Sequence, residues 1–179
     1  PPSLSRDEGA MLTVRVNGVE TYAATNDVSQ QGLQAALDRA EQQARRLQPH
    51  ALLDLREQTV SSDRADYFSP DLDQPFPSLS DCYQLLGDES AAVPKDERLV
   101  NWQVSIGITH VEQIYLNSAG AELRQAQRFV YPGLDVTAYN GSDSQTRTLG
   151  RENFGQQGGF DVISRCGLVG AAPKIADEA

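Results

Sequence analysis

The sequence predicts an α+β fold in which an antiparallel or mixed β-sheet packs in two layers against a few α-helices. Three observations point there. A hairpin pattern opens the chain, one strongly amphipathic helix follows, and the second half alternates apolar and polar residues with a period of two.

Met11 to Asn17 alternates in the manner of a half-buried strand, and Asn17-Gly18 is a strong two-residue hairpin turn. Val19 to Ala24 returns as the second strand. The first strand calls for a partner on its other side, with few residues available before it. Asn26, Asp27 and Ser29 supply helix caps. Leu33, Leu37, Ala40, Ala44 and Leu47 then recur at helical spacing, and Glu41 with Arg45 forms an i,i+4 pair in the favourable order. Pro49 ends this helix, whose apolar face, mostly alanine and leucine, suits close packing on a sheet. Residues 56–98 read as a long irregular connection broken by prolines, with a short helix from Ser78 to Leu86.

In the second half, Trp102, Val104, Ile106 and Ile108 alternate with polar residues as a strand. A corner near His110 leads to a further strand through Ile114 and Leu116. After a turn at Ser118 to Ala121, Gln125 to Tyr139 is one long extended segment, in which Pro132-Gly133 marks a bulge or an edge position. Asn140 to Asp143 is a second hairpin turn, and Ser144 to Leu149 pairs back. Pro173 suits a first helical position, and the residues after it stop short of two turns, as if the chain ended within an element. The domain expected is single, spanning 1–179 and truncated at both ends.

Charge excludes some functions. The chain of 179 residues carries net charge −10 with a pI of about 4.6, and its only lysines are Lys95 and Lys174. Nucleic-acid and anionic-membrane partners, both needing clustered positive charge, are not expected. No apolar run reaches the ~20 residues of a membrane span, no signal-peptide layout opens the chain, and two distant cysteines form no disulfide framework. A cytoplasmic protein with free thiols follows.

His50, Cys82, His110 and Cys166 could in principle ligate zinc, but structural sites bring ligands in pairs about two to five residues apart, and none of these pairs does. Gly-x-Ser-x-Gly is absent. His110 and Glu112 lie on one side of a strand, an arrangement that serves acid–base chemistry in some sites and is solvated surface in most. The most unusual segment runs from Gly150 to Phe160. It lacks the lysine and the spacing of a phosphate loop, leaving close backbone approach or a flexible connector as its two readings.

The order of these pieces resembles the amino-terminal region of the TldD/PmbA family, once labelled modulators of DNA gyrase. Asp7 to Val16 looks like the family's D-x-G-x-G-V-R strand, and Tyr67-Phe68-Ser69-Pro70 with Asp73-Gln74-Pro75-Phe76 resembles its tyrosine–proline and D-P-F segment. Ile114 to Gly120 is similar to its N-S/T-D/E-G turn. Arg151 to Phe160 is similar to the G-G-x-x-G-(F/Y)-E stretch of the TldD branch. Ala10, Ala119 and Asp161 depart from these patterns.

The resemblance implies the scaffold, substrate-chamber and dimerisation domain of a zinc metallopeptidase that degrades or processes peptides. Its zinc would sit on an H-E-x-x-x-H helix in a carboxy-terminal domain. No catalytic or metal residue transfers, since neither histidine here lies in that motif. The implied partners are a second family subunit, as homo- or heterodimer, and a peptide. The peptide would bind on an open sheet edge by strand addition, or along Gly155, Gly158 and Gly159 with Arg147 and Arg151 anchoring carboxylates. The alternative is a non-catalytic PmbA-like subunit that pairs with an active protease.

Overall fold

The computed structural model describes residues 2–75, 77–150 and 154–179. These divide into two compact units, residues 1–60 and 61–179, where the sequence suggested one domain. The physical reason lies in the cores. Each unit buries its own apolar face, and the boundary falls in the polar stretch ahead of Ser61.

In the first unit β1 (Ala10–Val16) and β2 (Val19–Thr25) pair antiparallel from Val16↔Val19 outward. Asn17 and Gly18 both adopt positive φ, 49° and 84°, the conformation that a primed hairpin turn needs. Helix α1 (Gln30–Leu47) starts at Ser29, whose hydroxyl accepts the Gly32 N–H at 3.1 Å. A hydrogen bond from Ser29 also holds the Asp27 carboxyl below its ordinary pKa.

The buried row of α1 is Ala36, Ala40 and Ala44. The leucines expected to share it flank it instead, and Leu37 and Leu47 remain partly exposed, at 37% and 43%. Alanine wins because the helix sits so close to the ribbon that the buried Thr21 hydroxyl reaches the Ala40 carbonyl at 2.6 Å. A row of leucines would hold the two apart. A 3₁₀ turn, Gln48–His50, follows at Pro49. Residues 51–60 then return to the hairpin: Leu55 N–H donates to Gly18 O, and the Arg15 guanidinium donates to the carbonyls of Leu55 and Gln58.

The second unit is built around one strand. Its elements are β3 (Arg64–Phe68), α2 (Leu79–Ala91), β4 (Leu99–Leu116), β5 (Glu122–Tyr139), β6 (Ser144–Gly150), β7 (Gln156–Gln157), α3 (Asp161–Arg165) and α4 (Ala172–Glu178). β5 is central. On one side β4 pairs antiparallel along its whole length. On the other side β3 pairs parallel, and β7 and β6 pair antiparallel in turn.

Four sequence expectations change here. The connection over 56–98 contains, besides the expected helix, the strand β3, and α2 runs on to Ala91 rather than ending near Leu86. Five residues of continuously exposed strand give β3 no apolar alternation to read. The corner near His110 does not exist, because Thr109 and His110 stay in register opposite Phe129 and Arg128. The long extended segment begins at Glu122 rather than Gln125.

Pro132 lies on neither an edge nor a bulge. Tyr139 donates its N–H toward Arg98, ahead of β4, whereas the Ala126 and Arg128 carbonyls face the opposite side. By alternation, the missing N–H of Pro132 points away from β4. There the ladder has a gap between β7, which ends opposite Val130, and β6, which begins opposite Gly133. A central strand tolerates proline at the one place where no donor is wanted.

The even-numbered face of β5 supplies Val130, Leu134 and Val136 to the core. They pack with Val162, Ile163 and Leu168 and with Ala172, Ile175 and Ala176 of α4. Full burial of each such aliphatic side chain contributes about 1.5–3 kcal/mol. The core stops short of the β3 end of the sheet, where Phe68, Ile108 and Ile114 remain exposed.

Candidate functional site

The glycine-rich segment is laid against the sheet of its own unit. Gly155 lies under the Tyr131 ring so closely that a Cβ would stand 2.1 Å from it. Gly158 donates its N–H to the Arg128 carbonyl at 3.2 Å, and a Cβ there would meet Arg165 and Val162. The Gly159 N–H donates to the Asp161 carboxylate at 3.1 Å, at the start of α3. Gln157 donates to the Tyr67 hydroxyl at 2.7 Å. Close backbone approach is therefore the correct half of the sequence reading, and the backbone approached is the protein's own.

Arg147 lies elsewhere, on β6 opposite Val136, with Nη1 donating to the Thr146 carbonyl. Between that position and the β7 pairing at Phe129–Val130 run six or so residues of β5, roughly 20 Å of strand. Arg151 falls outside the described residues. Arg147 and the three glycines thus lie apart along β5.

His110 Nε2 and Glu112 Oε1 stand 3.4 Å apart on β4, both solvent-exposed. An exposed pair of this kind is worth little energetically. Of the possible zinc ligands, His50 belongs to the first unit; within the second, Cys82 is on α2, His110 is exposed on β4, and Cys166 is buried at the end of α3. Burial pushes both thiols up from their ordinary pKa. Among the described residues no three metal-ligating side chains gather. The residues here therefore do not fit a zinc site of the type that the family resemblance implies.

A cleft of about 310 Å³ opens between α4 and the β5–β6 hairpin, lined by Asp96, Arg98, Tyr139, Asp143 and Asp177 among others. Arg98 holds Asp96 by hydrogen bonds at 3.0 and 2.6 Å, which depress that carboxyl to about 2. Its cation is already satisfied.

The remaining feature is the outer edge of β4. In the ladder to β5, the odd-numbered residues of β4 from Asn101 to Tyr115 face residues of β5 whose main chain points toward them. The even-numbered residues therefore direct N–H and C=O outward. Among the described residues, no backbone bond to the outward groups of Trp102 through Ile114 occurs. Residue composition could have signalled this. From Leu99 to Thr109 the strand contains no Lys, Arg, Asp, Glu or Pro, the residues that usually blunt an edge.

With this geometry in view, the comparisons with known proteins define the class. Residues 74–179 match the family model described as the PmbA/TldA metallopeptidase central domain, and residues 2–44 match domain 1 of the same family. The chain belongs to the PmbA/TldD metallopeptidase family. A crystal structure of a "putative modulator of DNA gyrase" from Bacteroides thetaiotaomicron shares the fold, with a TM-score of 0.62 and 18% identity over 88% of this chain. The present chain spans 38% of that one. No curated protein matches. No helix among the described residues is long and apolar enough to cross a membrane.

Proposed function

We propose that this chain is the scaffold of a TldD-like zinc metallopeptidase that degrades or processes peptides, contributing a chamber wall and a dimerisation surface. The observation that carries this reading is the ordered pair of family matches, domain 1 followed by the central domain, both named for metallopeptidases. The catalytic zinc is held by residues outside 1–179, consistent with the dispersal of His50, Cys82, His110 and Cys166. A cytoplasmic location and a second family subunit as partner belong to the same proposal. Peptide engagement by Arg147, Arg151 and the glycine segment is its least supported part, because Gly155, Gly158 and Gly159 are taken up by internal packing.

The test is expression of the full natural polypeptide that contains this chain. Bound zinc is measured by mass spectrometry, and cleavage is followed on an unfolded peptide. Stoichiometric zinc with peptide hydrolysis supports the proposal. A zinc-free polypeptide that co-purifies with an active family member indicates the non-catalytic, PmbA-like role instead. Neither zinc nor hydrolysis, alone or with a partner, overturns both.

A further inference from the structure

We propose that Asn140, in the turn between β5 and β6, is a site of self-modification activated by that turn. The main-chain nitrogen of Gly141 closes on the Asn140 carboxamide, and the ring opens to aspartate or isoaspartate. The proposal concerns the chemistry of the turn itself and does not depend on the metallopeptidase reading.

An Asn-Gly step hinders such closure least, because glycine puts no Cβ beside the attacking nitrogen. The chain has two, Asn17-Gly18 and Asn140-Gly141, and both stand in hairpin turns. Their surroundings differ. Asn140 Oδ1 accepts the Ser142 N–H at 3.1 Å, the Ser142 hydroxyl at 3.1 Å and the Asp143 N–H at 2.9 Å. Three donors on one carbonyl oxygen polarise the carboxamide carbon and stabilise the negative charge that builds on the oxygen as a nucleophile adds. Among the described residues, no hydrogen bond engages Asn140 Nδ2, the leaving group, or the Gly141 N–H, the nucleophile. Gly141 also has open space where a Cβ would stand.

Asn17 is placed otherwise. It is fixed at φ 49° beside the first rung, Val16↔Val19, and Gly18 is buried, with its carbonyl accepting the Leu55 N–H at 2.9 Å and Asp54 Oδ1 over its Cα. Turning the Gly18 nitrogen onto the Asn17 carboxamide requires those bonds to break. Asn117 shows the converse protection. Its Oδ1 accepts the Ala119 and Ala121 N–H groups, but its Nδ2 donates to the Ser61 carbonyl at 2.8 Å, and the next residue is Ser118.

In the reaction, the Gly141 nitrogen gives its proton to solvent base and bonds to Asn140 Cγ. The Cγ–Nδ2 bond breaks and ammonia leaves. Water then opens the cyclic imide: breaking the bond from nitrogen to Cγ gives aspartate, and breaking the bond from nitrogen to the main-chain carbonyl gives isoaspartate. Asn140 lines the cleft that also holds Asp96, Asp143 and Asp177, so either product adds a carboxylate to an acidic rim. Isoaspartate also lengthens the main chain next to the last rung of the β5–β6 ladder, Tyr139↔Ser144.

The folded chain is incubated in mildly alkaline buffer, and aspartate and isoaspartate are located by mass spectrometry of peptic fragments made at low pH. Asn140 should convert at least about tenfold faster than Asn17. It should also convert at least as fast as the same asparagine in a synthetic peptide of residues 138–145. Ser142→Ala, an exposed change that removes one donor to Oδ1, should slow Asn140 about threefold. In concentrated urea the two Asn-Gly steps should convert alike, because the turn and the hairpin contacts are then both lost. Equal rates at Asn17 and Asn140 in the folded chain would overturn the proposal. So would slower conversion of Asn140 in the folded chain than in the peptide, an unchanged rate in Ser142→Ala, or a difference between the two steps that persists in urea.

Discussion

Glu89 is the one charged side chain among the described residues that is buried, at 6% exposure. Its Oε1 accepts the Gly170 N–H at 2.6 Å and so ties α2 to the loop before α4, while Oε2 has no partner. Removing it strands a buried donor. Glu89→Ala should destabilise the second unit by about 2–3 kcal/mol, and Glu89→Gln, which keeps the acceptor, by less; urea titration decides. Gly150 offers a sharper case. It sits at φ 87°, and a Cβ there would stand 1.9 Å from the Pro132 carbonyl oxygen. Gly150→Ala should therefore cost at least about 2 kcal/mol, measured as a drop in urea midpoint. At the surface, Asp54 and Asp96 are each depressed to about 2, chiefly by hydrogen bonds from Arg56 and Arg98. Depressed carboxylates contribute stability that is present above their unfolded value near 3.8 and lost as pH falls through about 2. Carboxyl chemical shifts followed between pH 5 and pH 1.5 should place both midpoints near 2.

At the scale of elements, local chemistry was legible wherever a backbone rule is strict. Asn17-Gly18 dictated a primed turn, and Ser29 and Pro49 bracketed α1. In α2, Ser78 and Asp81 complete a capping box, and Ser78→Ala should cost about 1 kcal/mol of helix stability, read by thermal unfolding. The burying face of α1 was less legible. Apolar periodicity put leucines and alanines on one face, and the hairpin buried only the alanines, because distance to the ribbon sets which volume fits. Ala40→Leu should thus be destabilising by about 1–3 kcal/mol although it improves helix hydrophobicity. β3 escaped detection altogether, since an edge strand exposed on both faces has no alternation to show.

Over the whole molecule, an acidic chain with scattered arginines should show no measurable binding to duplex DNA at ~150 mM salt in an anisotropy titration, whatever label attaches to its relatives. The candidate site was only partly readable at this scale. Gly155, Gly158 and Gly159 stood out in sequence because glycine is conspicuous, yet their role is seating a segment against Tyr131 and α3. The sequence read two strands about a corner near His110 where one continuous β4 forms, and which of its sides lacks a partner among the described residues depends on β3, β6 and β7 all joining the far side of β5. The sequence by itself determined the α+β class, the turns and caps, the family, and the scatter of His and Cys. Those follow from residue type and from spacing along the chain. Tertiary structure alone decided that two units form rather than one, that Pro132 occupies a gap in a central strand, and that the outer edge of β4 has no backbone partner among the described residues. Each of those depends on which main-chain groups find partners from distant parts of the chain.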